Sequence, residues 1–148
     1  MCGGDWEFYC YDCTTDPGKY WVENIMRKEG VAILKEGQFP GSHKIRLHAG
    51  KYPALGQKKP VTVYRDNNND NKYDRNEAKV DEGLFGINIH RATSREGKTS
   101  TYVDKWSAGC QVIASNDDWK KFMAICERAK DIHGNSFSYT LLSSKDIV

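Results

Sequence analysis

Between Val31 and Ala114 the apolar residues come in short runs, and glycine, proline or polar clusters stop each one. The runs are Val31–Leu34, Lys44–His48, Val61–Tyr64, Leu84–His90 and Cys110–Ala114. Runs this short, bounded by turn residues, read as strands. Two segments break the pattern. From Lys19 to Lys28, Trp21, Ile25 and Met26 fall at helical spacing, with Gly30 as a stop. After Ser115, with Asp118 three residues on as in a capping box, Trp119, Phe122, Met123, Cys126, Ala129 and Ile132 form an apolar stripe that Gly134 closes. The segment from Phe137 alternates again and predicts a last strand. The expected fold class is α+β, mainly β, with two helices. At 148 residues, 39% of them hydrophobic, the chain has material for one core, so residues 1–148 are expected to form a single domain. Residues 1–18 hold Cys2, Cys10 and Cys13 among aromatic residues and are expected to pack on that domain.

Charge narrows the partners. Twenty-two basic residues face 20 acidic ones, a net charge of +2 without a basic stripe, which argues against a nucleic-acid partner. A mildly basic surface tolerates an anionic polymer such as a bacterial cell wall. No apolar run approaches the ~18 residues of a membrane span, and the first residues, "MCGGDWEF", lack the basic and apolar regions of a signal peptide. A monomer is expected. His43, His48, His90 and His133 form no paired metallopeptidase motif.

The period of two in "GLFGINIH" sets Phe85, Ile87 and Ile89 toward a core and Asn88 and His90 on the opposite, polar face. "KIRLH" repeats the logic, with Ile45 and Leu47 inward and Arg46 and His48 outward. A solvated face with incidental histidines would read the same way. Cys110 lies twenty residues after His90, directly behind Gly109. A glycine-presented thiol with a histidine available in space is the minimum for a cysteine nucleophile and its base.

His90, sixteen intervening residues, then Ser107-Ala108-Gly109-Cys110 resembles the catalytic motif of the L,D-transpeptidase (YkuD-type) family, a histidine followed by Ser/Thr-His-Gly-Cys. His90, Ser107, Gly109 and Cys110 match. Ala108 replaces the motif's second histidine, and Gln111-Val112 replaces its hydrophobic residue and Asn or Arg. The resemblance covers roughly Gly86 to Ile113 and implies a β-sandwich fold. It also implies acyl transfer or hydrolysis on peptidoglycan stem peptides through a Cys110 thioacyl-enzyme, at the cell wall, without a required cofactor. In that scheme His90 is the base, a carbonyl at Ser107 orients it, and the N–H groups of Gly109 and Cys110 hold the oxyanion. Arg46, Asn88, Arg91 and Gln111 are then candidates for binding the substrate's carboxylates and amides. A wall-degrading hydrolase (a phage lysin or secreted toxin) and a non-catalytic wall-binding module of the same fold are the alternatives.

Two further motifs stand outside that scheme. Asp66, Asn68, Asp70, Asp74 and Glu77 fall at positions 1, 3, 5, 9 and 12 of a Ca²⁺ loop of EF-hand type, with Asn71 where glycine is usual. No helical pattern precedes it, and a solvated hairpin loop would look alike; any ion there is expected to be structural. Cys10-x-x-Cys13 has metal-type spacing but no nearby histidine, so a disulfide or unused thiols are expected rather than zinc. Cys126 lies on the apolar stripe and is expected to be an inert core residue.

Overall fold

The computed structural model describes residues 7–26, 28–68, 70, 72–102, 105 and 107–146. These form strands β1 (Cys13–Thr14), β2 (Val31–Leu34), β3 (Gly37–His48), β4 (Tyr52–Gln57), β5 (Val61–Asp66), β6 (Val80–Gly83), β7 (Ile89–Arg91), β8 (Gln111–Ile113) and β9 (Phe137–Leu141). Two α-helices, α1 (Lys19–Glu23) and α2 (Asn116–His133), complete a fold that is mainly β. Six strands make one sheet in the order β1-β8-β7-β4-β3-β9, and β2-β5-β6 make a second. All pairs are antiparallel except β7 and β8.

β3 serves both halves of the molecule because it bends. Its pairing with β9 shifts register between Phe39 and His43, where Gly41 takes φ +58°, a bulge that re-aims a strand. Beyond the bend, Leu55, Ile89 and Ile113 of the large sheet pack against Trp119, Met123 and Cys126 of α2. Before it, Phe39, Tyr139 and Leu141 pack on Ala32, Leu34, Val61, Val63 and Ile87. Each large apolar side chain in these clusters contributes about 1.5–3 kcal/mol of burial. The helix cap behaves as its sequence predicts: Ser115 Oγ accepts the Asp118 N–H at 3.3 Å, and Gly134 ends α2 at φ +85°. Ile132 is the exception on the stripe, exposed in the last turn.

Three expectations change. The helix from Lys19 stops after five residues at Asn24, whose backbone leaves the helical region (φ −124°, ψ 69°) while its side-chain amide donates to the Tyr20 carbonyl at 2.9 Å. Met26 is therefore exposed. Of the run Leu84–His90, only the end enters a strand, since the Phe85 and Ile87 N–H groups donate to the Gln57 side chain at 3.1 and 3.0 Å instead of to a neighbouring strand. Leu47 is 60% exposed rather than inward; it pairs with Pro53 beside the β3–β4 turn, outside both core clusters.

From Tyr11 to Gly18 the N-terminal segment lies along the edge of the large sheet as a strap, whereas Phe8 before it is exposed. Cys13 and Thr14 pair with Ile113 and Val112, the Ala114 N–H donates to the Asp12 carbonyl at 3.0 Å, and Tyr11 meets Phe122 edge-on. Cys10 and Cys13 are free, exposed thiols, so no disulfide joins them; Cys2 lies outside the described residues.

Candidate active site

The turn before β8 is built to bring the Gly109 backbone close to the second sheet. Ser107 is buried; its hydroxyl donates to the Cys110 carbonyl at 2.7 Å and accepts the Gly109 N–H at 3.1 Å. Gly109 has φ +136°, and a Cβ there would stand 2.5 Å from the Ala32 carbonyl oxygen and 3.1 Å from Ile87 Cδ1. Only glycine fits both the backbone conformation and the contact. Cys110 is half-buried, and its Sγ donates to the Gly86 carbonyl at 3.2 Å. Burial pushes the thiol above its ordinary range, partly offset by a backbone hydrogen bond from Asn88, so the resting group is a neutral thiol.

His90 is not on a solvated face. It is only 4% exposed, because β4 and β8 flank its strand and the His48 ring stacks on it with centroids 4.4 Å apart. Its Nδ1 lies 3.0 Å from the Arg91 carbonyl. A carbonyl can only accept, so Nδ1 carries the proton and Nε2 presents a lone pair. Burial, together with His48 beside it, lowers the His90 pKa, so the ring is a neutral base at pH 7. The Ser107 carbonyl does not orient this ring as the resemblance implies, since it accepts the Gly18 N–H at 2.8 Å; the Arg91 carbonyl does so instead.

Parallel pairing sets Ile89 beside Gln111 and His90 beside Val112. The Gln111 N–H donates to the Asn88 carbonyl at 2.8 Å, which continues the ladder and sets Cys110 beside Asn88. In a parallel pair, matched residues share a face and alternate ones return to it. Cys110, Asn88 and His90 therefore share the face away from α2. Cys110 Sγ leans toward Gly86, at the far end of the segment from His90, and no hydrogen bond joins the thiol to the imidazole among the described residues.

Arg46 reaches this face from β3. Its side chain crosses Gly56, where a Cβ would sit 1.9 Å from Nε, and Nη2 approaches Asn88 Oδ1 at 3.4 Å. Asn88 Oδ1 also accepts the Gln57 N–H at 3.0 Å. Arg91 is paired with Ile113 on the opposite face, its guanidinium stacked 4.2 Å over Tyr52. Gln111 is buried, with its amide engaged by the Gly109 and Thr15 carbonyls and the Tyr139 hydroxyl. It steadies the turn from inside and lines a separate, mostly apolar cavity of about 290 Å³ with Tyr11, Phe122 and Tyr139, away from the thiol. One cleft of about 240 Å³, lined by Trp21, Met26, Ala32, Arg65 and Phe85, reaches the turn at Ala108. Another, of about 130 Å³, is lined by Arg46, His48, Gly56 and Asn88.

Two positioning residues have no mark in the sequence. Gln57 is buried and uses its whole amide: Nε2 donates to the Lys59 and Gly83 carbonyls at 2.9 and 2.8 Å, and Oε1 accepts from Phe85 and Ile87. His43, buried in β3, lies with Nε2 2.8 Å from the Ile87 carbonyl and Nδ1 2.8 Å from Ser42 Oγ. Together they fix the segment that carries Asn88 and His90. His43, His48 and His90 all have pKa values lowered first by burial. The unfolded chain therefore binds protons more readily than the folded one below the ordinary histidine pKa of about 6.5. Their neutral-state stability is present above that pH and is lost as pH falls through the lowered folded values. Thermal melts should be level from about pH 8 to 7 and fall progressively below about 6.5; a melting temperature that rises on acidification from pH 6.5 to 5 contradicts this.

The acidic loop lies apart from the thiol. Asp66 ends β5 and is buried, Asn68 and Asp70 are exposed, and Asp74 is half-buried. Glu77 does not join them; it sits in a short 3₁₀ turn capped by Asn76, paired with Lys35 and accepting the Tyr64 hydroxyl at 2.9 Å. Asn71 lies outside the described residues. Among the described residues, no three His, Cys, Asp or Glu side chains converge as a metal-binding group, and no helix is long and apolar enough to cross a membrane. Comparison of the chain with protein-family models, curated proteins and solved structures finds no match.

Proposed function

We propose that the protein is a cysteine-dependent acyl-transfer enzyme of L,D-transpeptidase type, acting at the cell wall on peptidoglycan stem peptides. The observation that carries this reading is His90, its Nδ1 held by the Arg91 carbonyl, on the strand beside a glycine-presented Cys110 and on the same sheet face. Rotation of the Cys110 side chain away from the Gly86 carbonyl turns the thiol toward His90. In the reaction the sulfur attacks the carbonyl of the residue preceding the terminal D-amino acid, and His90 Nε2 takes the thiol proton. Collapse of the tetrahedral adduct breaks the C–N bond, and the imidazolium returns that proton to the leaving amine. An incoming amine then gives a cross-link, and water gives a trimmed stem.

The oxyanion arrangement differs from the one the motif implies. The Gly109 N–H is already engaged by Ser107 Oγ. The Cys110 N–H has no backbone acceptor among the described residues and is the donor left to face a developing oxyanion. Arg46, over Gly56 and next to Asn88, is placed to meet a substrate carboxylate in the smaller cleft.

Incubation with purified tetrapeptide and cross-linked muropeptides, followed by mass analysis, tests the reading. New dimers mean transfer, loss of one D-alanine means carboxypeptidase action, and monomers from dimers mean lysis. Retention of muropeptides without turnover would leave a wall-binding module and remove the enzyme.

A further inference from the structure

We infer that the loop from Asp66 to Asp74 is a Ca²⁺ site. Asp66 is 1% exposed, and its carboxylate faces the loop: Oδ2 accepts the Asp74 N–H at 3.3 Å. Its other oxygen, Oδ1, is buried without a hydrogen-bond partner among the described residues. A buried carboxylate oxygen with no donor is costly, and a hard cation meets that need. The neighbours that face the same loop supply further oxygen. Asn68 and Asp70 each accept a backbone N–H two residues on, at 3.2 and 3.0 Å. Asp74 Oδ2 accepts from the Asn68 amide at 2.7 Å.

The donors stand at positions 1, 3, 5 and 9, so three carboxylates and one amide oxygen are in sequence register for a Ca²⁺ loop. The bidentate acid of position 12 is missing, because Glu77 is held by Lys35 and Tyr64. The absence of a preformed three-carboxylate cluster among the described residues means that Asp70 and Asp74 must turn inward on binding. Both features place the affinity in the weak range of extracellular modules rather than that of cytosolic buffers. The loop is tied to the rest of the fold: the Tyr73 hydroxyl donates to the Pro17 carbonyl at 2.8 Å, Arg75 pairs with Asp16 at 2.5 Å, and Gly18 of the same strap holds Ser107. Ordering the loop therefore reads out in the stability of the whole chain.

The test is titration of chelator-treated protein with CaCl₂, followed by calorimetry and thermal melting. The expected result is one saturable site with a dissociation constant of about 10⁻⁴–10⁻³ M, and little response to equimolar Mg²⁺. Melting should rise by about 5–10 °C at a hundredfold excess over that constant. Asp70→Ala, a change at an exposed side chain, should leave the melting temperature without Ca²⁺ unchanged and weaken binding at least about tenfold. Glu77→Gln should leave the binding constant unchanged. Melting indifferent to both Ca²⁺ and chelator, or Asp70→Ala binding as tightly as the unmodified protein, overturns the assignment.

Discussion

Replacement of Cys110 by alanine is expected to abolish turnover, by roughly 10³-fold or more, because it removes the atom that in the proposed reaction forms the acyl-enzyme bond. The same change should leave the fold intact: Cys110 is half-buried and belongs to neither core cluster. His90→Ala should cost a comparable factor, and the double variant should be no worse than either alone, as for residues that act as one unit. Cys126→Ala is the contrast. Its thiol lies on α2, buried against the large sheet, and is pushed up to about 11, so its loss should cost roughly 1–2 kcal/mol of stability and no activity in folded protein. The pH profile carries the same logic. Catalysis begins from neutral thiol and neutral imidazole, so the acid limb should follow the lowered His90 pKa and fall below the ordinary histidine value. Rate measurements on Cys110→Ala, with circular dichroism to establish that it is folded, decide the matter: turnover retained in folded protein removes Cys110 from the mechanism.

Gln57→Ala is expected to be among the most destabilising single substitutions in the chain, by about 3–4 kcal/mol, because it strands four backbone groups at once. The Phe85 and Ile87 N–H groups and the Gly83 and Lys59 carbonyls all take their hydrogen bonds from this one amide. Gln57→Glu should rescue little, since a carboxylate oxygen would face the Gly83 and Lys59 carbonyls where an N–H₂ now donates. Urea denaturation measures the loss. A destabilisation below about 1 kcal/mol would mean that the Gly83–Ile87 segment finds other partners. Because that segment leads directly to Asn88 and His90, the activity of whatever folded fraction remains should also fall.

The parts legible in the sequence are those governed by local physics. β2 coincides with Val31–Leu34, where four successive residues are buried, and α2 starts and stops at its capping serine and its glycine. β4 was hidden by Pro53 and Gly56, residues that normally argue against a strand; Gly56 is there because the Arg46 side chain passes over it. Alternation alone predicts a polar face for His90, which is 4% exposed. Alternation reports which side of a strand a residue takes, not whether His48, reaching from β3 across β4, covers it. The pairing of β7 with β8, which brings His90 and Cys110 to one face, is non-local and leaves no periodic trace. Gln57 and His43 act through backbone groups far along the chain, and nothing in their sequence neighbourhoods marks them.

The central claim, that Cys110 carries the acyl group, is tested most directly by trapping that bond. The protein is mixed with a tetrapeptide muropeptide, quenched in acid and weighed intact, then digested to locate the adduct. The account predicts a mass gain equal to the substrate minus its terminal D-amino acid, on the peptide containing Cys110, and none in Cys110→Ala. Product formation without any Cys110 adduct on rapid quenching, or an adduct confined to Cys10 or Cys13, would contradict it.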